Sequence, residues 1–219
     1  MADVYWRAQN LQTERFAQPL QTKCERQSRA FVNELAFESF VRVAAIAENK
    51  GSDAELRVAA ESAKDSIAKY ISHFSHIEKF DLLQELPSEL GEVIFVAKRL
   101  YRFFSPRFRM TSESFRPKFY GCGILMAAEG DILLGETLFE VKAGDRNFRV
   151  ADLRQLLIYC ALNRKKSVAN ITQVALVNPR VGIWWSSDLE SCSRAISGIS
   201  STELLDDIAD FVIQSHSYE

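Results

Sequence analysis

Apolar side chains recur at three- and four-residue spacing through the first half of the chain, a pattern typical of amphipathic helices. The spacing predicts helices at about 26–49 and 53–73. A shorter helical segment, about 77–86, should end before Pro87, because proline lacks the N–H that the helix requires. A further helix should then run from 88 to 104.

The pattern changes to a period of two from 130 to 142, which predicts two short strands. One face carries Ile132, Leu134, Phe139 and Val141, and the other carries Asp131, Leu133, Leu138, Glu140 and Lys142. Gly135 and Glu136 stand between the two apolar runs, and glycine at the first central position suits a two-residue type II′ hairpin turn. Counting outward from this turn places Asp131 directly opposite Glu140.

Two carboxylates in directly opposite positions repel each other unless positive charge lies between them. A hard divalent cation would supply that charge, since Mg²⁺ typically binds one or two carboxylates together with water or phosphate. Lys142 shares the face of Glu140 and could orient or deprotonate a water, or stabilise charge on a phosphate. The hairpin alone fits a solvated Asp/Glu/Lys face equally well.

The segment after the hairpin has the spacing of an amphipathic helix with Asp152 near its start. Its apolar stripe consists of Leu153, Leu156, Leu157, Cys160 and Ala161. Gln155 and Tyr159 are one turn apart and share a neighbouring face.

Asp131, the Glu140-Val-Lys142 triplet and the Gln155-x-x-x-Tyr159 spacing together resemble the PD-(D/E)XK nuclease superfamily. The resemblance is to its RecB-type and phage-exonuclease-like branch and covers roughly residues 115–185. One departure is Gly130, which stands where the motif has proline.

The resemblance implies a role for each motif residue. Asp131 and Glu140 would bind Mg²⁺ or Mn²⁺, Lys142 would assist the attacking water, and Gln155 and Tyr159 would contact the site or the nucleic-acid backbone. In such nucleases the helix before the first strand often supplies a further acid. Glu92 is the preferred candidate over Glu89, and both could equally serve the helix N-terminus and solvent.

Charge is unevenly distributed along the chain. The net charge of −2 argues against a protein that coats nucleic acid through overall charge. Basic residues nevertheless concentrate at 98–118 and 142–166, on either side of the proposed site in sequence, as a phosphate backbone requires. They could also be chance clusters on solvated faces. The predicted nucleic-acid contacts are Arg146, Arg149, Arg154 and Arg180.

The remaining patterns complete a sheet. Strands are predicted at 119–126, at 172–177 as a central strand, and at 182–185 as an edge strand. The last carries Trp184 and Trp185, for which core packing is favoured over base stacking. A final helix is predicted over 202–215.

The predicted fold is α/β: a restriction-endonuclease-like core with a small mixed sheet of four or five strands flanked by helices. The core would occupy residues 105–219 and follow an N-terminal all-α region at 1–104 that serves dimerisation, a partner or the substrate. No apolar run is long enough to span a membrane and no signal peptide is evident, which predicts a cytoplasmic protein without membrane association. Four widely spaced cysteines and three histidines argue against a zinc site.

Three functions compete. The first is a metal-dependent nuclease that hydrolyses phosphodiesters in DNA, which the resemblance further associates with restriction or anti-phage systems. The second is a nuclease-like subunit that binds nucleic acid or a partner without cutting alone. The third is a structural or regulatory helical protein with an accidental motif. The long helical region is expected to support a homodimer or a partner. The acidic total indicates that a partner such as a helicase or ATPase delivers the substrate.

Overall fold

The computed structural model describes residues 2–10, 12–75, 77–121, 127–166 and 169–214. In chain order its elements are α1 (Ala2–Asn10), β1 (Glu14–Arg15), α2 (Arg29–Ala44), α3 (Asp53–Phe74), α4 (Lys79–Phe104), β2 (Lys118–Phe119), β3 (Ala128–Glu129), β4 (Ile132–Leu134), β5 (Thr137–Val141), α5 (Val150–Lys166), β6 (Gln173–Asn178), β7 (Ile183–Asp188), α6 (Leu189–Ser197) and α7 (Ser201–Gln214).

The chain divides into two compact units. One comprises residues 17–112 and contains α2, α3 and α4. The other combines residues 1–16 with 113–219 and contains the sheets. The first residues therefore belong with the sheet unit, whereas the sequence pattern predicts a helical region over all of 1–104.

The helices of the first unit follow the predicted patterns with one exception. Ser52 caps α3 and forms a capping box with Glu55, which satisfies N–H groups at the helix start. The predicted break at Pro87 is wrong, because α4 continues through this proline. Interior proline costs about 3 kcal/mol or more. The apolar stripe keeps its phase across Pro87, and the burial it provides offsets that cost; its buried members include Leu82, Leu86, Leu90, Val93 and Ala97.

The second unit is built on a mixed sheet of five strands in the order β1-β7-β6-β5-β4. Strands β5 and β6 are parallel, and the other neighbouring pairs are antiparallel. Helix α5 connects the two parallel strands, as a crossover connection requires. The prediction of an α/β protein with a small mixed sheet is confirmed.

The β4–β5 hairpin has the predicted register. Its residue pairs are Leu134 with Thr137, Leu133 with Leu138, and Ile132 with Phe139. Gly135 has φ +58°, whereas Glu136 has a negative φ, which fits the type II′ turn. Glycine adopts this conformation without the penalty that a Cβ would bring.

Strand β6 is the buried central strand that the apolar run predicted. Strand β7 is longer than expected, and β1 rather than β7 forms the edge of the sheet. Neither β1 nor α6 was predicted, because two residues carry no periodicity and α6 is only nine residues long. Helix α7 matches the predicted final helix except that residue 215 lies outside the described residues.

The predicted first strand is only partly described. Residues 118–119 form β2, which pairs with β3 in a separate two-stranded sheet rather than in the main sheet. Residues 120–121 do not continue the strand, and the rest of the prediction, from 122 to 126, lies outside the described residues.

The core of this unit lies between the sheet and its helices. Trp6 of α1 packs edge-on against Trp185 of β7, with ring centroids 5.1 Å apart, and its indole N–H donates to Phe148 O at 3.0 Å. These contacts explain why the first residues join the sheet unit. None of the described helices has a stretch that is both long and apolar enough to cross a membrane.

Candidate functional site

The hairpin brings the two predicted metal ligands together through the backbone. Asp131 immediately precedes β4, and its Oδ2 accepts a 2.7 Å hydrogen bond from the Val141 N–H. Val141 directly follows Glu140, so the Asp131 carboxylate reaches the strand that carries Glu140. The predicted pairing of Asp131 with Glu140 continues the observed register of the hairpin.

Helix α5 brings the two remaining motif residues to the same place. Lys142 Nζ donates to Glu140 Oε1 at 2.9 Å and to Gln155 Oε1 at 2.6 Å. Gln155 Nε2 donates to Glu140 Oε1 at 2.7 Å and to the Tyr159 hydroxyl at 2.6 Å. The structure thus joins Glu140, Lys142, Gln155 and Tyr159 in one hydrogen-bonded network.

The network leaves one side of the Glu140 carboxylate unsatisfied. Lys142 and Gln155 both bind Oε1, and within the described residues no hydrogen-bond donor reaches the buried Oε2. The Glu140 side chain is only 6% exposed, compared with 20% for Lys142. A buried carboxylate oxygen without a partner is costly and calls for an unseen ligand such as an ion or water.

Burial sets the electrostatics of this site. Removal from water raises the pKa of Glu140, which the charge and hydrogen bond of Lys142 only partly oppose. Burial also raises the pKa of Tyr159, and the nearby charges of Glu140, Asp131 and Glu129 act in the same direction. The Tyr159 hydroxyl therefore stays protonated beside these carboxylates.

The donor set fits a hard divalent cation. Asp131 and Glu140 supply carboxylate oxygens, and Mg²⁺ typically binds one or two carboxylates and completes its shell with water and phosphate. Across the described ranges, no three His, Cys, Asp or Glu side chains group closely enough to hold a metal on their own. A metal here would therefore need ligands from solvent or substrate.

The loop that follows Lys142 is fastened from two sides. Asn178, at the end of β6, is fully buried and donates to Gly144 O at 2.8 Å and Arg146 O at 2.9 Å. Its Oδ1 accepts from the N–H groups of Arg180 and Val181. The amide thus connects the carboxyl ends of the two parallel strands.

Asp152 fastens the other end of the loop. It is the third residue of α5, and its Oδ2 accepts from the Arg149 N–H at 2.7 Å, as in one half of a capping box. It also binds Arg146 through two parallel hydrogen bonds of 2.7 and 2.9 Å. Although burial alone would raise it, the Arg146 and Arg149 hydrogen bonds leave the pKa of Asp152 below its ordinary value.

The four arginines predicted to contact nucleic acid occupy different environments. Arg149 and Arg154 are exposed near the start of α5. Arg146 is partly exposed and held by Asp152. Arg180 is only 1% exposed, with Nη1 3.7 Å from Asp145 Oδ1. Its contact with nucleic acid stays a prediction, and the turn after β6 holds its side chain inside the fold.

The other candidates lie outside this network. Glu92 belongs to the helical unit, where its carboxylate accepts from the N–H groups of Lys23 and Cys24. Its assignment as a metal ligand stays a prediction. Trp185 is buried and Trp184 is partly exposed, so core packing is confirmed for Trp185.

Sequence reasoning missed Asn178 and the full role of Asp152. Asn178 carries no local signal for its role, since the carbonyl groups to which it donates belong to a loop more than thirty positions away. The signal for Asp152 was present: a carboxylate three residues after a helix start is a recognised capping pattern.

Comparison with protein-family models, with curated proteins and with solved structures gave no significant match to this chain.

Proposed function

We propose that this protein is a metal-dependent nuclease that hydrolyses phosphodiester bonds in DNA. The observation that carries the proposal is the half-satisfied carboxylate of Glu140. Lys142 and Gln155 converge on its Oε1, while its buried Oε2 has no donor among the described residues. A solvated surface salt bridge would expose both oxygens to water, so this arrangement favours the metal site over the solvated-face alternative.

Asp131 and Glu140 are the residues that would hold Mg²⁺ or Mn²⁺. When bound, the metal supplies a Lewis acid that stabilises the charge developing on the phosphate oxygens. The hydrogen bond from Val141 N–H fixes the Asp131 carboxylate, and Lys142 and Gln155 fix that of Glu140. The chain therefore prepares both ligands before any cation arrives.

Lys142 is placed to act on the reacting groups. Its ammonium has three donors, of which Glu140 and Gln155 take two. The third can orient a water or donate to a phosphate oxygen, which stabilises negative charge there. Gln155 holds this ammonium from the side of α5 and links it to Tyr159.

The surroundings of the site support a nucleic-acid substrate. Arg149 and Arg154 expose guanidinium groups near the start of α5, the helix that also carries Gln155. DNA as the substrate, a role in restriction or anti-phage defence, and a homodimer or a helicase-like partner follow from the motif resemblance.

One observation favours the second candidate, a subunit that binds without cutting alone. Asp152 and Asp145 lie within ion-pair distance of Arg146 and Arg180, two of the four predicted phosphate contacts. This leaves fewer cations for substrate and would make a partner protein necessary for productive binding.

Cleavage of supercoiled, linear and single-stranded DNA with Mg²⁺ or Mn²⁺ tests the proposal, with EDTA as the metal-free control. Cutting should be lost in Glu140→Ala and in Lys142→Ala. Matched controls are Glu61→Ala and Lys64→Ala, which remove an exposed Glu–Lys pair of similar length on α3. Cutting that persists in both site variants would place the active site elsewhere, and metal-independent binding without cutting would favour the second candidate.

A further inference from the structure

A short antiparallel ladder places an arginine opposite the first metal-ligand candidate. Residues 115–119 run beside 128–132 with one constant offset, which puts Arg116 opposite Asp131. The observed pairs are Phe115 with Ile132, Lys118 with Glu129, and Phe119 with Ala128. Between them Arg116 N donates to Asp131 O at 2.9 Å, and Gly130 N donates to Pro117 O at 2.9 Å.

Arg116 adopts a backbone conformation that is unfavourable for an arginine. Its φ is +55°, the sole positive value for a non-glycine residue in the described part of the chain. It also precedes Pro117, and residues before proline favour the extended region. Glycine would adopt this conformation at lower cost, and such strain concentrates at functional sites. An arginine at this strained position therefore indicates a function for its side chain.

One contact of that side chain, with Glu129, is loose. Arg116 Nη1 lies 3.4 Å from Glu129 Oε1, longer than a strong charge-assisted hydrogen bond, and the two side chains are 36% and 41% exposed. Glu129 is the diagonal neighbour of Arg116 in the ladder, two residues before Asp131. The charges of both acids also reach Tyr159, the last residue of the network.

The geometry points to Arg116 as a phosphate-binding residue for the nucleic-acid strand, with Glu129 as the counter-ion that it exchanges for a backbone phosphate. This inference rests on the proposed function. Losing the contact with Glu129 costs little free energy, because an exposed ion pair contributes little to stability. The exchange is favourable, because guanidinium binds phosphate through two parallel hydrogen bonds. The backbone hydrogen bond to Asp131 fixes the backbone of Arg116 next to that of the first metal-ligand candidate.

The test measures steady-state cleavage of a labelled duplex and of the corresponding single strand for wild type, Arg116→Gly, Arg116→Lys and Glu129→Gln. Arg116→Gly keeps the backbone conformation and removes the guanidinium. It should raise KM about tenfold without changing kcat and lower the salt slope of kcat/KM by about one. Arg116→Lys should give an intermediate KM, since lysine keeps the charge but cannot form two parallel hydrogen bonds with one phosphate. Glu129→Gln should lower KM, because it removes the competing counter-ion.

Arg194→Ala is the matched control, because Arg194 is also an exposed arginine paired with a glutamate but lies on α6. If wild type binds DNA without cutting, the dissociation constant replaces KM with the same expectations. An unchanged KM and salt slope in Arg116→Gly and Arg116→Lys, with cutting still lost in Glu140→Ala, would overturn the inference and leave the proposed function intact. A lower kcat at unchanged KM would overturn it as well, since Arg116 would then only position Asp131. A wild type that neither binds nor cuts would reject both.

Discussion

Gln155 accepts a 2.6 Å hydrogen bond from the ammonium of Lys142, so a side chain of helix α5 holds the basic residue that strand β5 presents. The same amide donates to Glu140. Position 155 therefore controls two of the groups expected to act in hydrolysis, although it neither binds the metal nor carries charge.

Replacing Gln155 should show how much catalysis depends on the positioning of Lys142 and Glu140 by this side chain. Gln155→Ala is expected to lower kcat roughly 10- to 100-fold, because residues that orient metal ligands typically contribute that much. Steady-state kinetics of DNA cleavage would measure this decrease in kcat. Gln173→Ala is the matched control, since Gln173 is exposed on β6. An unchanged kcat in Gln155→Ala would mean that Lys142 and Glu140 keep their positions unaided.

Metal binding should appear as added stability. At a Mn²⁺ concentration roughly a hundredfold above its dissociation constant, the free energy of unfolding should rise by about 2–3 kcal/mol. Glu140→Gln should remove this increment, and Glu61→Gln should retain it because Glu61 is on an exposed face of α3. Denaturant titrations with and without Mn²⁺ measure the difference. An equal increment in Glu140→Gln would show that the ion binds elsewhere.

Without metal, Glu140 should weaken the fold at neutral pH. Burial raises the pKa of Glu140 above its ordinary value. Its contribution to stability is therefore fully present below the ordinary pKa and is lost as the pH rises through the raised one. Metal-free Glu140→Gln should consequently be more stable than wild type at neutral pH, with a smaller gap in acid. Urea unfolding in EDTA at several pH values tests this, and a gap that widens in acid would contradict it.

Asp152 should have the opposite pH signature. Hydrogen bonds from Arg146 and Arg149 overcome the effect of burial and lower its pKa. Its contribution is thus present above the ordinary value and lost as the pH falls through the lowered one. Asp152→Ala is expected to cost about 2 kcal/mol at neutral pH and less in acid. Asp207→Ala, on an exposed position of α7, should change stability little at either pH. An equal loss at both pH values would exclude the ionised side chain as its cause.

Asn178 should matter through the loop that it fastens. Its four hydrogen bonds are made by a fully buried side chain, so Asn178→Ala leaves several buried groups unpaired and should cost about 3 kcal/mol. Thermal unfolding measures the loss. Asn147→Ala, an exposed position in the same loop, serves as control. Equal stability of the two variants would mean that the loop is held by other contacts.

The parts of the site that the sequence predicted are those with local rules. Alternation and a glycine at the turn determine the hairpin register, and helical spacing places Gln155 beside Tyr159. Arg180 shows the limit of this reasoning, because charge predicts exposure whereas the fold buries this guanidinium near Asp145. Such pairing depends on how distant segments meet, which no local pattern records.

Pro87 illustrates a second limit. Proline disfavours a helix interior, and this local effect is the one that the sequence predicts. Helix α4 nevertheless continues through Pro87, because the apolar stripe extends on both sides of it. Burial distributed over several turns outweighed one missing hydrogen bond.

Strand β1 consists of only two residues and pairs with the first two residues of β7, Ile183 and Trp184. The Trp184 indole N–H also donates to Glu14, across 170 positions of sequence. A six-residue strand left uncovered would present free backbone groups to other chains. Removing the first sixteen residues should therefore promote aggregation, because β7 would serve as a template for intermolecular pairing. An affinity tag should not replace this segment.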